Sequence, residues 1–323
     1  MPAVKSWVGV DLGGTKTLAG VFSSSGRWLG RHKRRTPFAS GGSALIGAIA
    51  EAIEAALADA GLEKSSIAGI GLGCPGPLDP ERGMILRSPH LAARRVAVGP
   101  AISRAFSRPV VVDNDVHMAL RAEHRAGAGR GFRNLAGFWV GTGVGGGVIV
   151  DGRVVSGVNR NAGELGHMIL DARRARPGTD RGSLEWEASK TGMARWMRRR
   201  IRLGSRTALR ASLAGKERLH SRALGDAYRK GDRLAVEAVE RSARYVGLAI
   251  ANLFDALAPE IFILGGGVVE DIGGPYVRLA RKAAIAHAFS TELAKPRVVA
   301  SVLKGSAGAL GAAMAAMEAA RRR

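Results

Sequence analysis

A single cysteine, Cys74, excludes an intrachain disulfide framework and any metal site built on several thiolates, and it fits a reducing compartment. Aromatic residues make up only 5% of the chain, and no recognisable nucleic-acid module is present, which argues against recognition by base stacking. Long apolar runs are missing; the stretch Ala307 to Met317 is too short to span a bilayer. The N-terminus enters a strand pattern within a few residues, with no charged region followed by a long apolar one, so no export signal is read and a cytoplasmic protein is expected. Acidic residues are also scarce, 27 Asp plus Glu against 49 Lys plus Arg, for a formal charge of +22. The basic runs are scattered: Arg31 to Arg35, Arg94 and Arg95, Arg173 to Arg176, Arg198 to Arg202 and Arg321 to Arg323. Such scatter reads as general surface basicity; no specific nucleic-acid partner and no membrane partner are expected.

At 323 residues and 46% hydrophobic content, the chain can build one large or two medium domains. Residues 7–12, 18–22 and 27–33 read as three strands separated by glycine and serine turns. Leu45, Ile49, Ile53 and Leu57 then recur at helical spacing, with Ser43 as the expected N-cap and Gly61 as the stop. Buried strands follow at 67–73 and 110–113, and a short helix at 116–126. The segment 135–155, "LAGFWVGTGVGGGVIVDGRVV", repeats the opening plan of strand, glycine bend, strand, turn, strand. A weak internal repeat of this kind predicts two related lobes facing each other across a cleft. Helices are expected over 184–202, 232–257 and 307–320, and a strand over 260–268. No linker rich in proline, serine and charge separates the halves, so the lobes should be interwoven.

In "VGVDLGGTKTLAGVF" (8–22), an Asp-Leu-Gly-Gly-Thr-Lys bend joins two apolar strands. Two readings stand: a tight turn that needs glycine, or a phosphate cradle of backbone N–H groups, with Thr15 as a hydroxyl donor and Asp11 holding hydrated Mg²⁺. Two further glycine turns, at 141–143 and 265–267, also follow apolar strands; a nucleoside triphosphate offers three such turns separate targets. "VVVDNDVHMA" places Asp115 at the carboxyl end of a strand, where open α/β sheets bind ligands. A carboxylate there can take the proton of a hydroxyl attacking a phosphoryl group, while Asn114 suits a sugar hydroxyl; equally, Asp113, Asn114 or Asp115 can cap the next helix. Glu164 and His167 in "NAGELGHMIL" are three apart between glycines and can converge on adjacent hydroxyls of a pyranose.

These motifs, in this order, resemble the ROK family of sugar kinases, within the hexokinase–actin–Hsp70 ATPase superfamily, and are most similar to its bacterial glucokinases. "GVDLGGTKT" resembles the first phosphate loop, "GLGCPGPLD" (71–79) the sugar-side loop and "VDNDVHMAL" the catalytic-aspartate segment. "VGTGVGGGVIVDGRVVSGVNRNAGELGH" resembles the second phosphate loop and its Glu-x-Gly-His motif, and "LAPEIFILGGGV" the adenosine loop. The resemblance implies a two-lobed, actin-like (ribonuclease H-like) α/β fold with a central cleft, divided as 1–114 plus 307–323 and 115–306. It implies an ATP- and Mg²⁺-dependent, homodimeric kinase of carbohydrate metabolism and glycolysis, taking glucose to glucose 6-phosphate. Asp115 is then the catalytic base, and Gly76, His90, Asn114, Glu164, His167 and Glu185 face the sugar. Gly13, Gly14, Thr15, Lys16, Gly141, Thr142 and Gly143 hold phosphates, Gly265, Gly266 and Gly267 flank the adenosine, and Asp11 meets Mg²⁺ through water.

Two departures stand out. The family's zinc-binding cysteine segment here reads "RARPGTDRGSLE", with Ser183 in place of one cysteine, so no zinc site is expected. His90 stands where the family shows asparagine, which leaves open other hexoses (fructose, mannose or an N-acetylhexosamine). Polyphosphate as donor and a non-catalytic sugar sensor are the remaining alternatives. No helix-turn-helix segment precedes residue 8, which argues against the repressor branch.

Overall fold

The computed structural model describes residues 5–37, 41–88, 93–214, 219–289 and 291–322. An antiparallel meander of β1 (Ser6–Leu12), β2 (Lys16–Phe22) and β3 (Trp28–Arg35) leads to α1 (Gly41–Asp59) and β4 (Ile67–Cys74). Short strands β5 (Leu78–Asp79), β6 (Met84–Ser88) and β7 (Ala93–Val96) precede α2 (Val98–Phe106), β8 (Val110–Asn114) and α3 (Asp115–Ala126). A second meander follows in β9 (Leu135–Val140), β10 (Val144–Val150) and β11 (Arg153–Val154). Then come α4 (Leu184–Ala188), α5 (Lys190–Arg202), α6 (Arg210–Ala214), α7 (Ser221–Arg229) and α8 (Arg233–Leu257). The chain ends through β12 (Ile261–Gly265), α9 (Gly267–Ile272), α10 (Gly274–His287), β13 (Val298–Ala300) and α11 (Ala307–Arg321).

Two five-stranded sheets share one plan, β3-β2-β1-β4-β8 and β11-β10-β9-β12-β13. In each, a meander is extended by two strands parallel to its first: β4 and β8 in one, β12 and β13 in the other. The internal repeat read from residues 135–155 is this duplication. The strands β5, β6 and β7 form a separate three-stranded sheet that no periodicity announced, because runs of two to five residues are too short to show one.

The chain divides into two compact units, one of Met1–Ala126, Ser156–Ala162 and Ser306–Arg323, the other of Gly127–Val155 and Gly163–Gly305. This differs from the division drawn at 114/115. Helix α3 stays with the first unit because it packs on α11, with Glu318 paired to Arg121 at 2.6 Å and Arg125 at 3.1 Å. The segment Ser156–Ala162 also belongs to the first unit, where Asn161 bonds both the N–H and the C=O of Leu78, at 2.8 and 3.0 Å.

The core of the first unit joins Val8, Val10, Ile70, Leu72 and Val112 of its sheet to Leu45, Ile49, Ile53 and Leu57 of α1. Ile49 and Ile53 are wholly enclosed, each worth about 1.5–3 kcal/mol. Among the described residues α1 is the one helix long and apolar enough to cross a membrane, but this stripe is committed to the sheet. It begins at Gly41, so Ser43 lies inside the first turn and is not the cap. In the second unit the helix expected over 184–202 breaks at Ser189, which ends α4 and caps α5 by accepting from the Gly192 N–H. The strand expected over 260–268 stops at Gly265, since Gly266 (φ 88°) turns the chain into α9. The buried Tyr276 hydroxyl meets Ser242 Oγ at 2.8 Å, and Ser242 donates to Ala188 O, a polar tie across α10, α8 and α4.

Helix α11 lies directly against backbone. A Cβ on Gly9 would sit 1.8 Å from Ala309 O, on Gly71 1.9 Å from Ala312 O, and on Gly311 1.7 Å from Met118 O. Gly71→Ala should therefore destabilise strongly, by about 3 kcal/mol or more, because backbone cannot step aside as a side chain can. Gly47→Ala, inside α1 with nothing within 4 Å of the new methyl, should instead stabilise by up to ~1 kcal/mol. Chemical denaturation of the two variants checks the contrast.

Candidate active site

In the first unit, parallel pairing aligns Asp11 of β1 with Gly73 of β4 and Asp113 of β8 at the carboxyl ends of three neighbouring strands. Gly73 leaves room for the start of α3, for its Cβ would meet Asp115 Cα at 3.2 Å. Asp115 follows on the first turn of α3, where the helix N-terminus favours a carboxylate. Asn114 is the main cap: its Oδ1 accepts from the N–H groups of Val116 at 2.8 Å and His117 at 3.2 Å, while Asp115 Oδ1 shares the Val116 N–H at 2.9 Å. Asp113 is engaged elsewhere, accepting from the Asn114 N–H at 2.8 Å and facing His117 Nδ1 at 3.2 Å and Arg121 at 3.9 Å.

These carboxylates sense one another. Burial, then Asp115, pushes the Asp11 carboxyl up to about 7, with Lys33 opposing. Cys74, buried at the end of β4, has its thiol raised by burial and then by Asp115, Asp11 and Asp113, so it is no thiolate nucleophile. For Asp113 burial opposes ionisation, but the His117 hydrogen bond and charge, the Asn114 amide and Arg121 outweigh it and hold the carboxyl below its usual range.

The first glycine bend is held open by its surroundings. Gly13 N–H donates to Lys16 O at 3.0 Å, and Thr36 donates from Oγ1 to Gly13 O at 2.7 Å and from N to Thr15 O at 3.0 Å. Thr36 also meets Thr17 Oγ1 at 2.9 Å; nothing in the local sequence pattern marks it. Thr15 and Lys16 are exposed, and Gly14 half-buried. Gly308 at the start of α11 presses on Asp11, its would-be Cβ 2.6 Å from Asp11 Cγ. Gly76 (φ 95°) would drive a Cβ to 2.4 Å from Arg87 O, so the sugar-side loop takes no other residue without strain. His90 lies outside the described residues.

In the second unit, Gly141 N–H donates to Gly143 O at 2.8 Å, and space beside Gly141 is open for 4 Å. The start of α5 fixes this loop: Lys190 N–H donates to Gly141 O at 2.9 Å, and Thr191 Oγ1 to Thr142 O at 2.7 Å. Sequence reading missed both residues, since their partners lie 49 positions away. Glu185 reaches the same loop, its Oε2 accepting from Val144 N–H at 2.8 Å.

Glu164 and His167 bracket one 3₁₀ turn, Leu165–His167, which sets positions three apart on one side. Leu165 is buried while His167 is exposed. The glycine of this motif is obligatory, because a Cβ on Gly166 would land 1.8 Å from Val144 O. Beyond it, where the family resemblance leads to zinc-binding cysteines, the loop is closed by ordinary polar contacts. Leu170 and Asp171 N–H groups share Gly182 O, Arg174 pairs with Asp171 at 3.0 Å and with buried Glu187 at 3.5 Å, and Arg241 also meets Glu187. Ser183 caps α4 by accepting from the Trp186 N–H at 3.1 Å.

Gly265 packs its α-carbon against Trp139, Gly266 turns the chain, and Gly267 opens α9 beside Ser221, which accepts from Lys190 Nζ at 3.2 Å. Among the described residues no group of three or more His, Cys, Asp or Glu side chains is gathered to hold a metal ion. The pair Asp11 and Asp115 nevertheless fits a hydrated, hard divalent cation, which keeps most of its waters and needs only one or two protein carboxylates beside phosphate oxygens.

Duplicated meander sheets, each with a glycine bend after its first strand, and carboxylates at the strand ends define the chain as an actin-like ATPase-superfamily protein with the two-lobed sugar-kinase fold. The profile of the ROK family matches residues 7–319, and the chain belongs to that family. It is 33% identical to a glucokinase of Thermotoga maritima over 97% of both chains. Among solved structures it resembles a ROK family glucokinase from Streptomyces griseus in complex with glucose and AMPPNP, with a TM-score of 0.85 and 30% identity over 97% of this chain and 99% of that one. A ROK hexokinase from Thermus thermophilus matches with a TM-score of 0.80 and 33% identity, over 98% and 100% of the two chains.

The depressed Asp113 carboxyl gives a pH test. Its contribution to stability is full above the ordinary carboxylate pKa of about 3.9 and is lost as pH falls through the lower folded value. Asp113→Asn should cost about 1–3 kcal/mol at pH 7, the scale of a hydrogen bond to a charged group. The gap to the parent, read by denaturant melts, should narrow steadily below pH 4.

Proposed function

We propose that this protein is an ATP-dependent glucokinase that transfers the γ-phosphoryl group to the 6-hydroxyl of glucose. One observation carries the reading: Asn114 caps α3, and Asp115, whose Oδ1 also accepts from the Val116 N–H at 2.9 Å, stands on the helix's first turn in electrostatic reach of Asp11. The glucokinase relative and the structure with glucose and AMPPNP support the same acceptor and donor.

Asp115 accepts the proton of the sugar hydroxyl as that oxygen bonds to phosphorus and the bridging P–O bond to ADP breaks. Asn114, Glu164, His167, Glu185, the Gly76 loop and His90 bind the sugar's other hydroxyls and orient the attacking oxygen. The remaining backbone N–H groups of the Gly13–Thr15 and Gly141–Gly143 bends, beyond those of Gly13 and Gly141 that close the turns, hold the phosphates with Lys16, and Gly265–Gly267 flank the adenosine. Asp11 would hold Mg²⁺ through water; the ion, when bound, shields the phosphate charge. The Asp171–Arg174–Glu187 contacts replace metal in closing the loop after His167, so the enzyme works without zinc. It acts as a cytoplasmic homodimer in glycolysis.

Asp115→Asn keeps size and hydrogen bonding but not basicity. It should lower kcat by on the order of 10²- to 10⁴-fold while changing the glucose KM far less. Glu164→Ala and His167→Ala should mainly raise the KM, by about 10-fold or more each. A coupled ADP-release assay across hexoses and N-acetylhexosamines reads both effects and the sugar preference. Near-normal kcat in Asp115→Asn would remove Asp115 from the chemistry.

The donor is tested in the same preparation. ATP with Mg²⁺ should outpace polyphosphate at every salt concentration, since a polyanion bound along Arg31 to Arg35 or the arginines of α5 would lose affinity steeply as salt rises. Faster turnover with polyphosphate at low salt would reverse the assignment.

A further inference from the structure

His117, on the first turn of α3, is buried to 2% exposure, and both ring nitrogens are engaged. Nδ1 faces Asp113 Oδ1 at 3.2 Å, and Nε2 lies 2.8 Å from Ala162 O. A carbonyl and a carboxylate can only accept, so the ring that satisfies both carries a proton on each nitrogen. Its partner Asp113 is itself anchored, by the Asn114 N–H and by Arg121, which is tied in turn to Glu318 of α11. The imidazole is thus a rigid strut from the end of β8 to one particular backbone carbonyl.

That carbonyl is well placed along the chain. Ala162 closes the segment Ser156–Ala162 and stands two residues before Glu164. The segment has a second anchor immediately beside the first, Asn161, whose amide bonds Leu78 N–H and O. Beyond these anchors, its tie to the rest of the unit is the exposed Arg160–Glu81 pair at 2.9 Å, and internal bonds such as Ala162 N–H to Ser156 O at 3.0 Å and Asn161 to Asn159 O at 2.6 Å shape the turn. Val158, at its middle, is fully exposed.

We propose that His117 is a positioning residue for the sugar site: its Nε2–H fixes the Ala162 carbonyl and so sets the backbone from which Glu164 and His167 reach the sugar. It shares the first turn of α3 with Asp115, so one helix turn supplies both the base and the strut. The consequence for catalysis rests on the glucokinase reading; the strut itself does not.

Two substitutions divide the ring. Asn at 117 places an amide nitrogen where Nδ1 was, keeping the bond to Asp113 and losing Ala162; Gln places one where Nε2 was, keeping Ala162 and losing Asp113. Hydrogen exchange of the peptide 156–168 reads the strut, and steady-state kinetics reads its effect. His117→Asn should speed exchange of 163–167 and raise the glucose KM about 10-fold, the loss of one charge-assisted hydrogen bond, with kcat changed far less. His117→Gln should restore parental exchange and KM. Equal behaviour of the two variants in exchange and KM would overturn the proposal, as would matching losses in kcat and KM. If His117→Asn does not fold, Asn161→Asp, which removes the amide donor to Leu78 O and Asn159 O, should give the same rise in exchange and KM, and parental values there would count against the anchor. A parent chain inactive on glucose would refute the kinase reading, while the exchange arm would still decide the strut.

Discussion

The first unit depends on how closely α11 can approach the sheet. Glycine makes that contact possible: Gly9 and Gly71 of the sheet admit the α11 backbone where any side chain would collide, and Gly311 of α11 does the same for α3. The gain is geometric as well as dispersive: at this separation the start of α11 comes down on Asp11, and its middle lies against Met118 of α3. Since α3 begins at Asp115, one tightly packed helix fixes both carboxylates relative to the strand ends. Glu318, near the other end of α11, repeats the tie through Arg121 and Arg125. A core that held α11 one methyl further out would still bury apolar area, but it would release the geometry on which the carboxylate pair depends.

The pair is held at an electrostatic cost. Asp11 lies in a partly enclosed place beside Asp115, and its carboxyl rises to about 7, so part of its population is protonated near neutrality. Folding alone gains nothing from such an arrangement. By contrast Asp113, one strand over, is matched with His117 and Arg121 and sits below its usual range. Three carboxylates within one cluster thus have different environments, one supporting the structure and two left in tension. Groups pushed apart in this way are where charge is meant to arrive. A divalent cation held by Asp11 would relieve the tension, whereas a structural ion pair would have removed it permanently.

Legibility in the sequence follows the range of the causes. Periodicity exposed β4, α8 and α11, and the glycine bends marked the repeated meander, because these signals lie within a few residues of one another. Cap chemistry narrowed the start of α3 to three neighbours but could not choose, since Asp113, Asn114 and Asp115 are all competent; the choice of Asn114 shows only in the folded geometry, where Asp113 turns to His117 and Arg121. The missed residues share one property. Thr36, Thr191 and His117 act on backbone carbonyls 23, 49 and 45 positions away, and such a partner leaves no trace in the local pattern. Short strands β5 to β7 failed for the opposite reason, being too brief to have a period.

The basic surplus has a role consistent with this division of labour. Arginine takes part in most of the described ion pairs, and several are well exposed, such as Arg133 with Asp151 and Arg229 with Asp226. Exposed pairs of this kind add little stability, so the charge excess is not explained by folding. Spread over many separate runs, a formal +22 raises the potential around the whole molecule instead of marking a track. Such a field draws polyanions inward and is screened within about 10 Å at 0.1 M salt. It can speed the arrival of a nucleotide but cannot tell one anion from another. On the proposed reading, discrimination falls to neutral and acidic groups at short range: the backbone bends for phosphate, and Asp115, Glu164 and Asn114 for hydroxyls. A chain that is basic outside and acidic at its strand ends thereby separates attraction from selection.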